Sequence, residues 1–195
     1  MSELTFDVGL ASKLKQAVIR NNITDLADID WLCEGDNLAN VRRVRLGHAN
    51  IVVPEHLIDC DQGPFIPSGW KVEEHQKGGA FKFDASQVQF YLDSGQKKGN
   101  YIEGNKLRKQ LAGKPVLNAN VLDYLLKNPQ LIPDDWKKDE KGNTRYIFFW
   151  GTIYRHSDGY LYVRYLYWFD GRWQWNDRWL GDDWLGDNPA AVRAS

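Results

Sequence analysis

Hydrophobic positions in the first 140 residues follow a helical spacing. Near the start of the chain, apolar residues recur at intervals of three and four, as in a helix with one buried face, at Val8, Ala11, Leu14 and Val18. Thr24 is a typical capping residue for a helix, and Ile51–Val53 is predicted as a short strand in a loop-rich segment. We predict that residues 1–140 form a mainly helical part of one compact domain.

Two more helices are predicted inside that part. Asn118 is a typical capping residue, and apolar residues follow it at helical spacing as far as Leu126, before Asn128-Pro129 ends the pattern. Asp84 is predicted to cap another helix that continues to Leu92.

From Arg145 the pattern changes to that of β-strands separated by turn sequences at His156–Gly159 and Asp170-Gly171. The predicted strands are Tyr146–Tyr154, Tyr160–Phe169 and Arg172–Asn176. The second strand is apolar on both faces, which predicts a sheet covered on both sides, with the helical part packed on it. Residues 177–195 show no regular period. The expected fold class is therefore α+β, with a strand-rich C-terminal part over residues 141–195.

Composition and charge exclude several classes of protein. The chain has 25 basic and 26 acidic residues, a formal net charge of −1, which argues against a dedicated nucleic-acid or anionic-membrane binder. No apolar run reaches the ~18 residues of a membrane helix, and the acidic N-terminus lacks a signal pattern. We expect a soluble, cytoplasmic protein without membrane partners; association with a virion, or export without a signal, would leave the same sequence pattern.

No pattern of catalytic or metal-ligating residues is found. The two cysteines, Cys33 and Cys60, lack the spacing of a zinc or redox site, and the four histidines do not fall in a ligand or triad motif. We therefore expect no catalytic residue, no metal and no cofactor, and a protein that is not an enzyme.

Aromatic residues are concentrated near the C-terminus. Of the 26 aromatic residues, 15 lie between Tyr146 and Trp184. In the last segment, tryptophans and small apolar residues alternate with polar or small residues. One interpretation is an aromatic core whose intervening residues merely face water. The other is a rigid frame of tryptophans that holds irregular backbone in place.

Two runs, FFWGTIYRHSDGYLYVRYLYW and GRWQWNDRWLGDDWLGDNPAAVRAS, resemble the C-terminus of the variable proteins of diversity-generating retroelements. The preceding stretch EGNKLRKQLAGKPVLNANVLDYLLKNPQLIPDDWK resembles the body of small soluble members of that family. The resemblance implies a C-type lectin fold, in a subtype shared with formylglycine-generating enzyme. In that subtype a Gly-Gly-Ser-Trp-like segment opens the variable region and a Gly-Phe-Arg-like segment closes it; here Gly171-Arg172-Trp173 and Ala191-Val192-Arg193 occupy those places.

The resemblance also implies which residues vary. In such elements a reverse transcriptase substitutes bases at adenines, typically in Asn codons (AAY), within a region expected here at about 169–188. The expected variable residues, all reachable from AAY, are Asn176, Asp177, Arg178, Gly181, Asp182, Asp183, Leu185, Gly186, Asp187 and Asn188. Candidates at the rim of the site are Phe169, Asp170, Arg172 and Gln174, of which Gln174 is not reachable from AAY. The expected scaffold residues are Trp173, Trp175, Trp179, Trp184 and Arg193.

The function implied is binding of an unknown macromolecular target, most simply a protein, through this diversified surface. Because four of the variable residues are aspartates, we expect this copy to prefer a ligand with basic or hydrogen-bond-donor groups. Calcium-dependent sugar binding is not expected: Trp175-Asn176-Asp177 spells the WND motif of such lectins, but the EPN or QPD tripeptide is missing.

Two other functions remain as alternatives. A helical nucleic-acid-binding module would use the basic segments Arg42–Arg45 and Lys106–Lys114. An enzyme related to formylglycine generation would need reactive cysteines near the site, whereas Cys33 and Cys60 are distant in sequence.

Overall fold

A computed structural model of the chain describes residues 8–20, 26–49 and 55–194, in two compact units that divide at Pro54–Glu55. The first unit contains helices α1 (Val8–Arg20), α2 (Leu26–Cys33) and α3 (Asn37–Arg45). The predicted helix at Val8 is confirmed, while Thr24 and Ile51–Val53 lie outside the described residues. The division differs from the single domain predicted, in which the change of character was expected near residue 140.

The second unit is α+β. Its strands are β1 (Leu57–Asp59), β2 (Trp70–His75), β3 (Ala80–Lys82), β4 (Val88–Tyr91), β5 (Ile102–Glu103), β6 (Ile147–Phe148), β7 (Thr152–His156), β8 (Leu161–Phe169), β9 (Arg172–Trp179), β10 (Asp183–Trp184) and β11 (Ala190–Arg193). Its helices are α4 (Gly104–Leu111) and α5 (Ala119–Lys127), with short 3₁₀ turns at Ala85–Gln87, Ser94–Gln96, Pro129–Leu131 and Asp134–Trp136.

Seven of these strands form one sheet in the order β2-β7-β8-β6-β11-β4, with β9 paired to the other side of the long strand β8. All pairs are antiparallel except β6–β11. Strands β1–β3 and β5–β10 make two small ribbons beside it. Only α4 and α5 are α-helical between residues 55 and 140, so the prediction that this stretch is mainly helical is corrected.

The sheet is covered on both faces, as its apolar pattern predicted. On one face, Leu166 of β8 packs in a cluster with Leu122 and Leu125 of α5. On the other, Val163 of β8 packs with Leu107 of α4 and with Trp184. Alternate residues of one strand thus serve two separate cores, because successive side chains point to opposite faces of a sheet.

Helix α5 confirms the clearest helical prediction. Asn118 accepts a hydrogen bond from the backbone N–H of Asn120 (3.2 Å). Val121, Leu122 and Leu125 are fully buried, and the helix ends at Lys127 before Pro129. Local signals were sufficient here because the cap and the buried face lie within one contiguous segment.

The helix predicted after Asp84 is wrong. Asp84 does cap a turn, by accepting a hydrogen bond from the Ser86 N–H (2.9 Å), but the turn is 3₁₀ and ends at Gln87. The chain then continues as β4, which pairs with β11. Strand β11 comes from the far end of the chain. The residues near Asp84 therefore carry no sequence signal for this pairing, which is favoured over a local helix.

The C-terminal segment is more regular than predicted. Strand β9 continues to Trp179, and both β10 and β11 follow in the stretch expected to be irregular. Their partners are the distant strands β5 and β4. The predicted strand Tyr146–Tyr154 is instead interrupted at Gly151, where an added Cβ would lie only 2.9 Å from the Asn118 backbone. Within the described residues, no helix has the length and apolar character needed to cross a membrane.

Candidate ligand-binding surface of the C-terminal hairpin

Strands β8 and β9 form a long hairpin that carries many of the predicted variable and rim residues. Its turn is Asp170-Gly171, with φ of +51° and +73°, as in a type I′ turn. The register pairs Phe169 with Arg172 and continues to Tyr162 with Trp179. Since side chains alternate along a strand, this register assigns every residue of β9 to one of two opposite faces.

The first face, called here the tyrosine face, joins aromatic residues of β8 to polar residues of β9. Its cross-strand pairs are Phe169–Arg172, Tyr167–Gln174, Tyr165–Asn176 and Val163–Arg178. The Tyr146 ring packs against Tyr165 at 5.5 Å, and burial raises the pKa of Tyr165 to about 12. The structure therefore brings two predicted variable residues together with three of the four rim residues.

Gln174 differs from its neighbours on this face. Its side-chain amide donates a hydrogen bond to the Phe169 carbonyl (3.0 Å) and so spans the turn. Asn176 instead accepts a hydrogen bond from the adjacent Asp177 N–H (2.8 Å) and is exposed. Gln174 thus has a structural contact across the hairpin, which agrees with its exclusion from the residues reachable from AAY.

The opposite face, called here the tryptophan face, carries Trp173, Trp175, Asp177 and Trp179. Asp177 therefore points away from Asn176 and Arg178. Trp175 and Trp179 are 36% and 38% exposed, so neither is a buried member of the predicted tryptophan frame. Trp173 is half-buried against Trp168, with ring centroids 5.4 Å apart.

Trp184 is the tryptophan that acts as a buried anchor. It is fully buried against Phe148 and Trp150, with ring centroids 4.3 and 4.6 Å away. At Gly104 an added Cβ would overlap the Trp184 indole and lie 2.5 Å from the Leu180 carbonyl oxygen. This packing fixes both ends of the loop that contains the predicted variable residues 181–183.

Asn188 corrects the predicted set of exposed variable residues. It is only 1% exposed. Its side-chain oxygen accepts hydrogen bonds from Arg178 Nη1 (3.1 Å) and from the Leu185 N–H (3.0 Å). Its backbone carbonyl accepts another from Gln96 Nε2 (3.0 Å). Asn188 thus ties the loop to the hairpin, a role its codon class does not reveal.

Gly181 is a second correction. An added Cβ would overlap the Trp179 ring, which lies directly against this glycine. Any side chain at position 181, even a methyl group, therefore requires the Trp179 ring to move. At Gly186, by contrast, the nearest atom to an added Cβ is the Gln96 carbonyl oxygen at 3.2 Å, and the residue is exposed.

The remaining loop residues divide between two surroundings. Asp182 lies beside the hairpin, 3.7 Å from Arg178 Nε, and Asp183 is exposed in β10 opposite Glu103. Leu185, Gly186 and Asp187 line a groove of about 670 Å³, whose other walls include Lys97, Lys98, Lys141 and Arg145. One acidic surface made of the four aspartates was expected, but the structure separates them.

Arg193 lies in β11, where its backbone N–H donates to the Pro115 carbonyl (2.8 Å). Its guanidinium lies 5.0 Å from the centroid of the Phe81 ring. The strand belongs to the sheet core, which suits the scaffold role predicted for this residue.

A buried ion pair beneath the tryptophan face was missed at the sequence level. Arg164 of β8 is 1% exposed and donates to both carboxylate oxygens of Asp123 in α5, at 2.7 and 3.2 Å. Its guanidinium also lies 4.1 Å from the centroid of Trp175 and 5.3 Å from that of Phe65. An arginine in a strand that is apolar on both faces was the available signal, but its carboxylate partner Asp123 is 41 residues away.

A second missed cluster surrounds Cys60. The His75 ring lies within hydrogen-bond distance of Thr152 Oγ1 (2.9 Å) and of the Cys60 carbonyl (3.0 Å), which also accepts from Asn118 Nδ2 (2.8 Å). Burial raises the pKa of the Cys60 thiol to about 11, and the neighbouring Asp59 and Asp61 add to the shift. The thiol therefore remains protonated at neutral pH and supplies no thiolate nucleophile.

No metal site emerges from the described part of the chain. Within it, no group of three His, Cys, Asp or Glu side chains is placed to hold a metal ion. The basic segment Arg42–Arg45 is mostly exposed on α3, while Lys106–Lys114 covers α4, in which Leu107 and Leu111 are buried. The two segments belong to different compact units. Comparison of the chain with protein-family models, with curated proteins and with solved structures found no match.

Proposed function

We propose that this protein binds a macromolecular ligand through a C-terminal surface diversified by adenine-directed mutagenic retrohoming, on a C-type-lectin-like scaffold. The observation that carries the proposal is the pattern of burial along the C-terminal segment. Leu180, Trp184 and residues 188–192 are buried. Most of the residues reachable from AAY between 176 and 187 are exposed or half-buried.

The structure narrows the set of residues that we propose to vary. Asn188 and Gly181 are withdrawn, because one is a buried hydrogen-bonding anchor and the other lies against the Trp179 ring. Arg178, which donates to the buried Asn188 oxygen, is withdrawn with it. The proposed variable residues are Asn176, Asp177, Asp182, Asp183, Leu185, Gly186 and Asp187. Diversification requires that substitution leave folding intact, and substitutions at surface positions usually change stability by only about 0.5 kcal/mol or less.

A protein is the ligand class that suits the tyrosine face best. This face combines tyrosines held by ring packing, such as Tyr165 and Tyr167, with exposed polar residues such as Asn176 and Arg172. Tyrosine offers a large amphipathic contact area with little conformational freedom to lose, and it is enriched in paratopes for that reason. The half-buried ladder on β8 would supply constant contact area, while β9 supplies the varied chemistry.

The test is the sequence of the encoding locus. We expect a near-copy of the segment that encodes residues 169–188, next to a reverse-transcriptase gene, with differences almost confined to adenines in the copy. The segment that encodes α5 is the internal control and should have no such copy. Independent isolates should differ at Asn176 and Asp183 but not at Gly181 or Asn188. A locus without a repeat, or variation that is equally frequent at Asn188, would refute the proposal.

A further inference from the structure

The tryptophan face contains a slot that the tyrosine face does not. Asp177 lies between two aromatic pairs: Phe65 with Trp175, whose ring centroids are 6.4 Å apart, and Tyr160 with Trp179, at 5.0 Å. Residues two apart on a strand are separated by ~7 Å, so the two tryptophan backbones are roughly 13 Å apart with the carboxylate midway. All four aromatic side chains are at least one-third exposed.

The carboxylate in this slot has no counter-ion of its own. Within the described residues, Asp177 makes no side-chain hydrogen bond or ion pair with another side chain. The cation directly opposite it on β8 is Arg164, whose guanidinium is already paired with Asp123. Asp158 lies nearby with His156 as its partner (2.8 Å). The slot therefore retains a net negative charge.

Burial is the main cause of the pKa shifts of two groups on this face. Burial, a hydrogen bond to Asp158 and the charges of Asp177 and Asp182 raise the pKa of Tyr162, which lies on the tryptophan face. Burial also raises the pKa of Asp177, although His156 and Arg164 act in the opposite direction. A half-buried carboxylate without a partner and two exposed indoles each cost free energy, and a cation with an apolar face would relieve both costs.

The protein already holds one buried arginine, Arg164, between a carboxylate and aromatic rings. Arg164 donates two hydrogen bonds to Asp123 while its guanidinium lies over the Trp175 ring and near Phe65. A guanidinium is suited to such surroundings because it is planar, stacks on aromatic rings and pairs with a carboxylate through two parallel hydrogen bonds. The same two rings remain partly accessible, at 36% for Trp175 and 55% for Phe65.

We propose that the slot around Asp177 binds an arginine side chain of a partner protein, with its guanidinium between the two aromatic pairs. The inference rests on the proposed function, because Asp177 is one of the residues proposed to vary; it names the chemistry that this copy of the surface selects. Phe65 and Tyr160 lie outside the variable region and would provide constant walls for a variable central residue.

The test is a titration of the ¹⁵N-labelled full chain with an acetylated, amidated Gly-Arg-Gly peptide, followed through the indole N–H resonances of Trp175 and Trp179. The matched probe is the citrulline peptide, which has the same shape without the charge. We expect saturable shifts of both indoles with arginine, and affinity weaker by about tenfold or more for citrulline, the difference typical of a charge-assisted hydrogen bond. Equal affinity for the two peptides, or for a lysine peptide, would overturn the proposal.

Two variants complete the experiment. Asp177→Asn keeps the shape of the side chain and should abolish the preference for arginine over citrulline. Asp135→Asn removes an exposed carboxylate in the 3₁₀ turn Asp134–Trp136, outside the slot and outside the proposed variable residues, and should leave that preference unchanged. Unperturbed dispersion of the Trp184 indole resonance reports an intact core in each variant.

The failure of this inference is distinguishable from failure of the proposed function. If the locus contains a template repeat but the protein does not bind arginine, the arginine slot is refuted and the proposed function stands. If the protein binds arginine selectively but the locus contains no repeat, the slot stands and the proposed diversification is refuted.

Discussion

Replacing Asn188 by alanine tests most directly whether the tertiary structure, rather than the codon class, decides which residues are free to vary. The substitution removes the oxygen that accepts hydrogen bonds from Arg178 Nη1 (3.1 Å) and from the Leu185 N–H (3.0 Å). Both donors then lose their partner at a site that is 1% exposed, where water cannot readily replace it. The backbone contact with Gln96 is retained.

The expected cost follows from these two bonds. A hydrogen bond that involves a charged group contributes about 1.5–3 kcal/mol and a neutral one about 1 kcal/mol, which together give a loss of about 2.5–4 kcal/mol. For a chain of this size, each kcal/mol lowers Tm by roughly 3 °C, so Tm should fall by about 7–12 °C. The matched control is Asn176→Ala, the same change at an exposed site whose contact is with its neighbour Asp177. The control should cost about 0.5 kcal/mol or less.

The measurement is urea unfolding followed by tryptophan fluorescence. Eight of the nine tryptophans lie in residues 55–195, so the signal reports the unit that contains Asn188. If the free energies of unfolding of Asn188→Ala and Asn176→Ala agree within about 0.5 kcal/mol, the reasoning that separates anchor from variable residue is wrong.

Three further predictions concern Gly181, Asp177 and the two free cysteines. Gly181→Ala should lower the free energy of unfolding by about 1–3 kcal/mol, because the Trp179 ring must move; an unchanged value in urea unfolding would contradict this. Burial raises the pKa of Asp177 in the folded state, so its contribution favours folding below the ordinary pKa of 3.8 and is lost as pH rises through the raised value. Asp177→Asn should therefore raise Tm at neutral pH, with a gap that closes in acid; a lower Tm at neutral pH would count against it. A thiol reagent at mildly alkaline pH should modify exposed Cys33 but reach Cys60 only after unfolding, and rapid modification of both in the native state would be inconsistent with the burial of Cys60.

Sequence reasoning succeeded where the necessary signals are close together in the chain. The cap at Asn118, the buried face of α5 and the turn at Asp170-Gly171 each depend on a few consecutive residues. It failed where a distant segment decides the outcome. Asp84 begins a turn that leads into β4 because β11 is available as a partner.

The candidate site shows the same division. The C-terminal hairpin was predicted from its turn and from its aromatic pattern, but the sequence did not divide its residues between two faces. The register of β8 with β9 shows that Asp177 points away from Asn176. The tertiary structure also shows that Phe65, far away in sequence, packs against Trp175.

The sequence by itself determined the α+β class, the hairpin and the set of residues reachable by adenine substitution, because residue identity and local spacing are sufficient for each. The tertiary structure alone decided which of those residues are exposed. Burial depends on contacts between segments that are far apart in the chain, as between Gln96 and Asn188 or between Arg164 and Asp123. For that reason Asn188, one of the predicted variable residues, is an anchor of the fold, and Trp175, one of the predicted scaffold residues, lies at the surface beside Asp177.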